Sequence, residues 1–157
     1  MVNHSGLEGY CKSVLISPFS IKGVSGIVPY DNPGPAIGKI WREFFQNSPC
    51  DASRSNQVVR VVFYNTSNAL DYSMIVGVLQ LDNSSDTAME SFPACNCDEF
   101  SVPVGPAEAI RSNVGRFYYE LFQKEPQAWG SGKYHFEDWS AETLAGNAPV
   151  KVFIGRE

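Results

Sequence analysis

The sequence predicts an α+β fold: a strand–helix–strand–strand unit built twice with pseudo-twofold symmetry, two main helices laid on antiparallel sheet, and a ligand cleft between the repeats. Three observations predict it. In AIGKIWREFFQN the apolar residues Ile37, Ile40, Trp41, Phe44 and Phe45 recur at i, i+3, i+4, i+7 and i+8, the stripe of an amphipathic helix. Runs such as VVRVVFYN and KVFIG are β-branched and aromatic, as strands are. A second helical stretch, VGRFYYELF at 114–122, lies on IGKIWREFF at 37–45 without a gap, matching Gly38 to Gly115, Lys39 to Arg116, Glu43 to Glu120 and Phe45 to Phe122.

From the N-terminus, KSVLISPFSIKGVSGIV (12–28) reads as one strand with a bulge or as two short ones. PYDNPGP is a proline-rich loop that leads into the first helix, and the polar SPCDASRSNQ ends that helix near Asn47. VVRVVFYN and LDYSMIVGVLQL form a hairpin joined by TSNA or a slightly longer turn. DNSSDTAMESFPACNCDEF, of mixed polarity, is expected to be an exposed connector with at most a short strand or turn at its end. FSVPVGPAEAI then matches FSIKGVSGIV, the second helix follows, and KYHFEDWS and VKVFIG complete the second copy. The expectation is one domain over 1–157, with repeats at about 12–82 and 98–157.

At 157 residues, 43% hydrophobic and 18% charged, the chain can bury a sizeable core. Its formal charge of −5 comes without any block of Lys or Arg, so no groove for nucleic acid is expected. No apolar run approaches the length of a membrane span, and MVNHSGLEGY lacks a signal peptide's basic and apolar regions. A cytoplasmic protein with reduced cysteines is the expectation. Cys95 and Cys97 stand too close together for a zinc knuckle, with Cys11 and Cys50 far away, so neither metal nor cofactor is expected.

Aromatic residues are unusually frequent, at 13%. They suit either a core or an aromatic-lined pocket. In YHFEDWS (134–140), strand alternation puts His135, Glu137 and Trp139 on one face and Tyr134, Phe136 and Asp138 on the other. Glu137 is then either a solvated strand residue beside a core aromatic or a carboxylate awaiting a positive partner. If buried and empty it should have a raised pKa, or take a hydrogen bond from Tyr64 or Tyr118, or pair with His135 on its own face.

The order and spacing of IGKIWREFF, DYSMIVGV, FSVPVG and the HFEDW block before KVFIG resemble the GyrI-like, or effector-binding, domain family, over about Val14 to Ile154. Members of that family form the ligand-binding module of multidrug-sensing transcription regulators of the MerR and AraC types, and also occur alone. The resemblance implies that Glu137 lies in an aromatic-walled cavity and meets the charge of lipophilic cations, with Trp139 as its neighbouring aromatic. Trp139 departs from the tyrosine or phenylalanine more usual there, and VPVGPAEAI offers Ala107 and Glu108 near a position where the family often has tyrosine.

Laying VVFYNTS on YHFEDWS matches Tyr64 to Glu137 and makes Tyr64 the preferred pocket tyrosine. Trp41 and Tyr118 hold equivalent places in the overlaid helices, so either could face the cleft, while Phe45, Phe117 and Phe122 read as core and Tyr30 as a lid or plain surface. The expected function is capture of an amphipathic cation by Glu137, Trp139, Tyr64, Trp41, Tyr118 and His135. One alternative is a hydrolase of strained or electrophilic small molecules, with Glu137 as general base and Tyr64 or Tyr118 as acid. Another, also implied by the family, is binding to a partner protein such as gyrase or a regulator chain.

Overall fold

A computed structural model describes residues 12–47, 58–65, 70–80, 89–102, 114–121 and 134–156. In chain order the elements are β1 (Lys12–Ile16), β2 (Phe19–Pro29), α1 (Pro33–Asn47), β3 (Val58–Asn65), β4 (Asp71–Gln80), β5 (Met89–Phe92), β6 (Cys95–Val102), α2 (114–121), β7 (His135–Ser140), α3 (Ala141–Leu144) and β8 (Val150–Arg156). The eight strands form one antiparallel sheet in the order β1-β6-β8-β7-β3-β4-β2-β5. The unit β2-α1-β3-β4 is thus repeated as β6-α2-β7-β8, and the copies meet where β3 pairs with β7. The expected α+β architecture is the one found.

Of the two readings of 12–28 the structure takes the second, and it corrects the expected connector. The stretch 12–28 is two strands, and they do not form a hairpin: β1 pairs with β6 at one end of the sheet, while β2 lies seventh in order. Only Ser17 and Pro18 join them. Six strand spacings in a flat sheet would be roughly 29 Å, whereas three residues of extended chain reach at most about 11 Å. The sheet must therefore curl until its ends approach, and the equally short link from β5 to β6 makes the same demand. The expected exposed connector is in part these last two strands. Cys95 and Cys97 alternate inward and are buried, and the burial of the Cys97 thiol beside Cys95 pushes its pKa up to about 12.

Each face of the sheet has its own core. Val59, Val61 and Phe63 of β3, Tyr72, Met74 and Val76 of β4, and Val150, Val152 and Ile154 of β8 face the helices. From α1, Ile40, Trp41 and Phe44 pack onto them, each contributing about 1.5–3 kcal/mol by burial. Phe45, expected on the same stripe, is 45% exposed; its ring stacks on Trp41 at 5.7 Å and meets Phe44 edge to face at 5.4 Å between ring centroids. From α2, Val114, Phe117 and Leu121 face inward. Phe122 lies outside the described residues.

The opposite face closes on itself through the curl. Phe19 of β2 meets Phe136 of β7 at 5.6 Å although two strands separate them in the sheet, and the Tyr134 hydroxyl donates to the Pro93 carbonyl at 2.6 Å. In the middle of this face Arg60 forms a two-pronged ion pair with Asp138, at 2.7 and 2.9 Å. Its guanidinium also lies 4.5 Å from the ring of Phe19 and 4.2 Å from that of Phe136. Among the described residues no helix is long and apolar enough to cross a membrane.

Candidate functional site

Between the two helices and the sheet lies a cavity of about 500 Å³. That is the size range of small-molecule sites. β7 supplies its polar element. Alternation turns Glu137 and Trp139 to the helix side, and the sheet register puts Val61 of β3 and Val152 of β8 on either side of Glu137. The carboxyl therefore stands among valines at the centre of the sheet, with 4% of the residue exposed. Ser140 ends the strand by capping α3, its hydroxyl accepting from the Thr143 N–H at 3.1 Å, which fixes the chain just beyond Trp139.

The aromatic walls come from both repeats. Trp41 of α1 meets Trp139 edge to face at 5.3 Å. Phe63 of β3 touches both Tyr72 of β4 and Tyr118 of α2, each at 5.9 Å. Tyr30 stands at the rim, 5.0 Å from Tyr72, and its backbone N–H donates to the Leu70 carbonyl. Pro33, Ile37, Met74, Val114 and Gly115 complete the apolar part.

Glu137 is held by neutral donors. The Trp139 indole N–H donates to Oε1 at 2.9 Å, and the buried Tyr118 hydroxyl, directed at the same carboxyl, is a looser partner. Burial pushes the Glu137 pKa from 4.5 up to about 7, against the lowering effect of these two donors and with a smaller push from the charge of Asp138. Burial likewise raises Tyr118 well above the ordinary phenol value, and Tyr72 too, with Glu137 adding to both.

The sign of the pH effect follows. A raised carboxyl pKa means that the folded state binds the proton more tightly than the unfolded chain, so this group's contribution is present below pH 4.5 and lost as pH rises to about 7. The full effect is roughly 3 kcal/mol. We expect Glu137→Gln, which cannot ionise, to melt higher than wild type at pH 8 and alike at pH 4, as denaturation at the two pH values would show.

Four of the six residues singled out from sequence come together here: Glu137, Trp139, Trp41 and Tyr118. Tyr64 does not join them. It sits on the other face of β3, packed 5.4 Å from Phe92 and hydrogen-bonded to Ser73, because 59, 61 and 63 are the positions that face the helices. The overlay of Tyr64 on Glu137 is therefore out of step by one residue, which in a strand reverses the side chain. His135 shares a face with Glu137 but is buried away from the cavity, where its Nδ1 accepts from the Gly155 N–H at 3.1 Å. Tyr72, Phe63 and Met74 were missed as lining residues, although the alternation of DYSM and VVFYN carries the signal. Ala107 and Glu108 lie outside the described residues. Among the described residues no group of three His, Cys, Asp or Glu could hold a metal ion.

No protein-family model and no curated protein matches the chain. Solved structures do. The structure of SAV2435 bound to tetraphenylphosphonium is 12% identical, covers 94% of this chain and 94% of its own, and superposes with a TM-score of 0.74. A protein from Staphylococcus aureus MU50, 12% identical over 96% of this chain and 98% of its own, gives 0.64. An integron cassette protein from the mobile metagenome of Vibrio cholerae, 16% identical over 96% and 97%, also gives 0.64. The chain thus has the fold of these proteins, the GyrI-like fold that the sequence resemblance implied.

Proposed function

We propose that this fold serves here as a small-molecule-binding module that captures lipophilic cations between α1, α2 and the sheet, with Glu137 as the charge partner. The observation that carries the reading is a buried carboxyl in the wall of an aromatic cavity, held only in part by two neutral donors. Ionising it there costs several kcal/mol unless a positive charge arrives. A ligand cation supplies that charge, and the faces of Trp41, Trp139, Tyr72 and Tyr118 add about 0.5–2 kcal/mol each through cation–π attraction. A neighbour of the same fold solved with tetraphenylphosphonium supports this ligand class as the first to try.

Few directed hydrogen bonds take part, so the specificity should be broad within the class. The test is a thermal-shift screen of bulky aromatic cations beside their neutral analogues. The cations should raise the melting temperature in proportion to the logarithm of their concentration, and the neutral analogues should do so far less. Equal shifts for both would overturn the reading.

The same carboxyl makes affinity pH-dependent. Only the ionised form attracts a cation, so affinity for a quaternary cation should climb between pH 5 and about 7, by up to tenfold per unit, and level off above. A profile flat from pH 5 to 8 in equilibrium titration would count against Glu137.

One observation favours a second reading. A carboxyl poised near pH 7 beside a phenol, Tyr118, is also suited to act as a general base on water. Turnover of an electrophilic small molecule, lost in Glu137→Gln, would favour hydrolysis over simple capture.

A further inference from the structure

Three glycines of the sheet have evident structural reasons. A Cβ on Gly23 would stand 2.0 Å from the Val76 carbonyl oxygen, one on Gly77 would stand 2.4 Å from that of Lys22, and one on Gly155 would stand 2.2 Å from that of Tyr134. Gly146 is required for another reason, a φ of 85°.

Gly115 has neither reason. Its φ is ordinary, and among the described residues no atom outside its chain neighbours and its own helix backbone lies within 4 Å of where its Cβ would be. It is exposed, it lies in the cavity wall, and it sits one turn before Tyr118 on α2. Helix side chains tilt toward the N-terminus, so Tyr118 leans back over the turn that holds Gly115, and a side chain at 115 would extend from that part of the cavity wall. The facing helix contributes differently. α1 offers Ile37 and Trp41 to the cavity where α2 offers Val114 and Tyr118, but of the matched glycines Gly38 and Gly115 only Gly115 lines it.

We propose that Gly115 is a size-determining residue of the site: it keeps open a slot along α2 that receives one bulky aryl arm of the ligand cation. The proposal rests on the binding function above and refines its ligand class, from lipophilic cations in general to those carrying rigid aryl groups around the charge. The charge then sits near Glu137 while the arm lies against the backbone of α2 and the edge of Tyr118. A small cation with a single ring reaches the carboxyl without entering the slot.

The test compares tetraphenylphosphonium with trimethylphenylammonium on wild type, Gly115→Ala, Gly115→Leu and Glu137→Gln by equilibrium titration. Gly115→Leu should weaken tetraphenylphosphonium by about tenfold or more, leave trimethylphenylammonium within about twofold, and show Gly115→Ala in between. Alanine and leucine are better helix formers than glycine, so neither variant should melt lower than wild type, which separates a filled slot from a damaged fold. Tetraphenylphosphonium binding within twofold of wild type in Gly115→Leu, or an equal loss for both cations, would overturn the proposal. Glu137→Gln reads the underlying function separately. If both cations bind that variant as well as wild type, charge pairing falls, while a size-selective loss at position 115 still stands.

Discussion

Glu137→Gln is expected to weaken binding of a permanent cation such as tetraphenylphosphonium by about 2–4 kcal/mol, roughly 30- to 1000-fold. The substitution keeps the volume of the side chain and an oxygen that can accept from the Trp139 indole, so the cavity should keep its shape. What disappears is the charge. In water an ion pair is worth little, but Glu137 is 4% exposed among Val61, Val152 and aromatic rings, where its attraction to a bound cation is poorly screened. The same change should not destabilise the empty protein, because it removes a group whose ionisation opposes folding above pH 4.5. Weaker binding together with equal or higher stability is a combination that general damage would not produce.

Arg60→Ala is expected to lower stability by about 3–5 kcal/mol, measured by chemical denaturation at neutral pH. Arg60 is 8% exposed and closes a two-pronged ion pair with Asp138 while its guanidinium lies over the rings of Phe19 and Phe136. Removing it leaves the Asp138 carboxylate without its partner in a largely apolar setting and leaves a void over the two rings. Arg60→Lys should recover only part of the loss, since an ammonium group can neither grip both oxygens nor cover both rings as a planar guanidinium does. The pair also spans the seam between the two repeats, because Arg60 is in β3 and Asp138 in β7. A loss below about 1 kcal/mol would show that the seam is held by apolar packing alone.

Much of this structure could be read from periodicity. The stripe Ile37, Ile40, Trp41 and Phe44 located α1 and its buried face, and the strands 58–65 and 71–80 followed from their β-branched content. What failed were questions of parity and partner. A strand overlay wrong by one residue still looks convincing as a string of letters, yet it put Tyr64 beside Glu137 when the two lie on opposite faces. His135 was placed on the correct face, but the sequence could not show that the Gly155 N–H would engage its ring. The strand Cys95–Val102 was partly hidden because its buried residues at the start are cysteines and its neighbours are charged; Asp98 is answered by Arg156, fifty-eight residues further on. The division of β1 and β2 between opposite ends of the sheet depends on closure of the whole curl, a long-range property that no local pattern encodes.

The central claim is that a single buried charge selects the ligand, and tetraphenylphosphonium and tetraphenylborate test it most directly because they share a shape and differ in sign. The comparison is one equilibrium titration of each ion on wild type and on Glu137→Gln at pH 8, where most of the carboxyl is ionised. Wild type should prefer the phosphonium by about a hundredfold or more, and Glu137→Gln should shrink that preference by at least about tenfold. Equal binding of the two ions by wild type, or a preference left intact in Glu137→Gln, would contradict it.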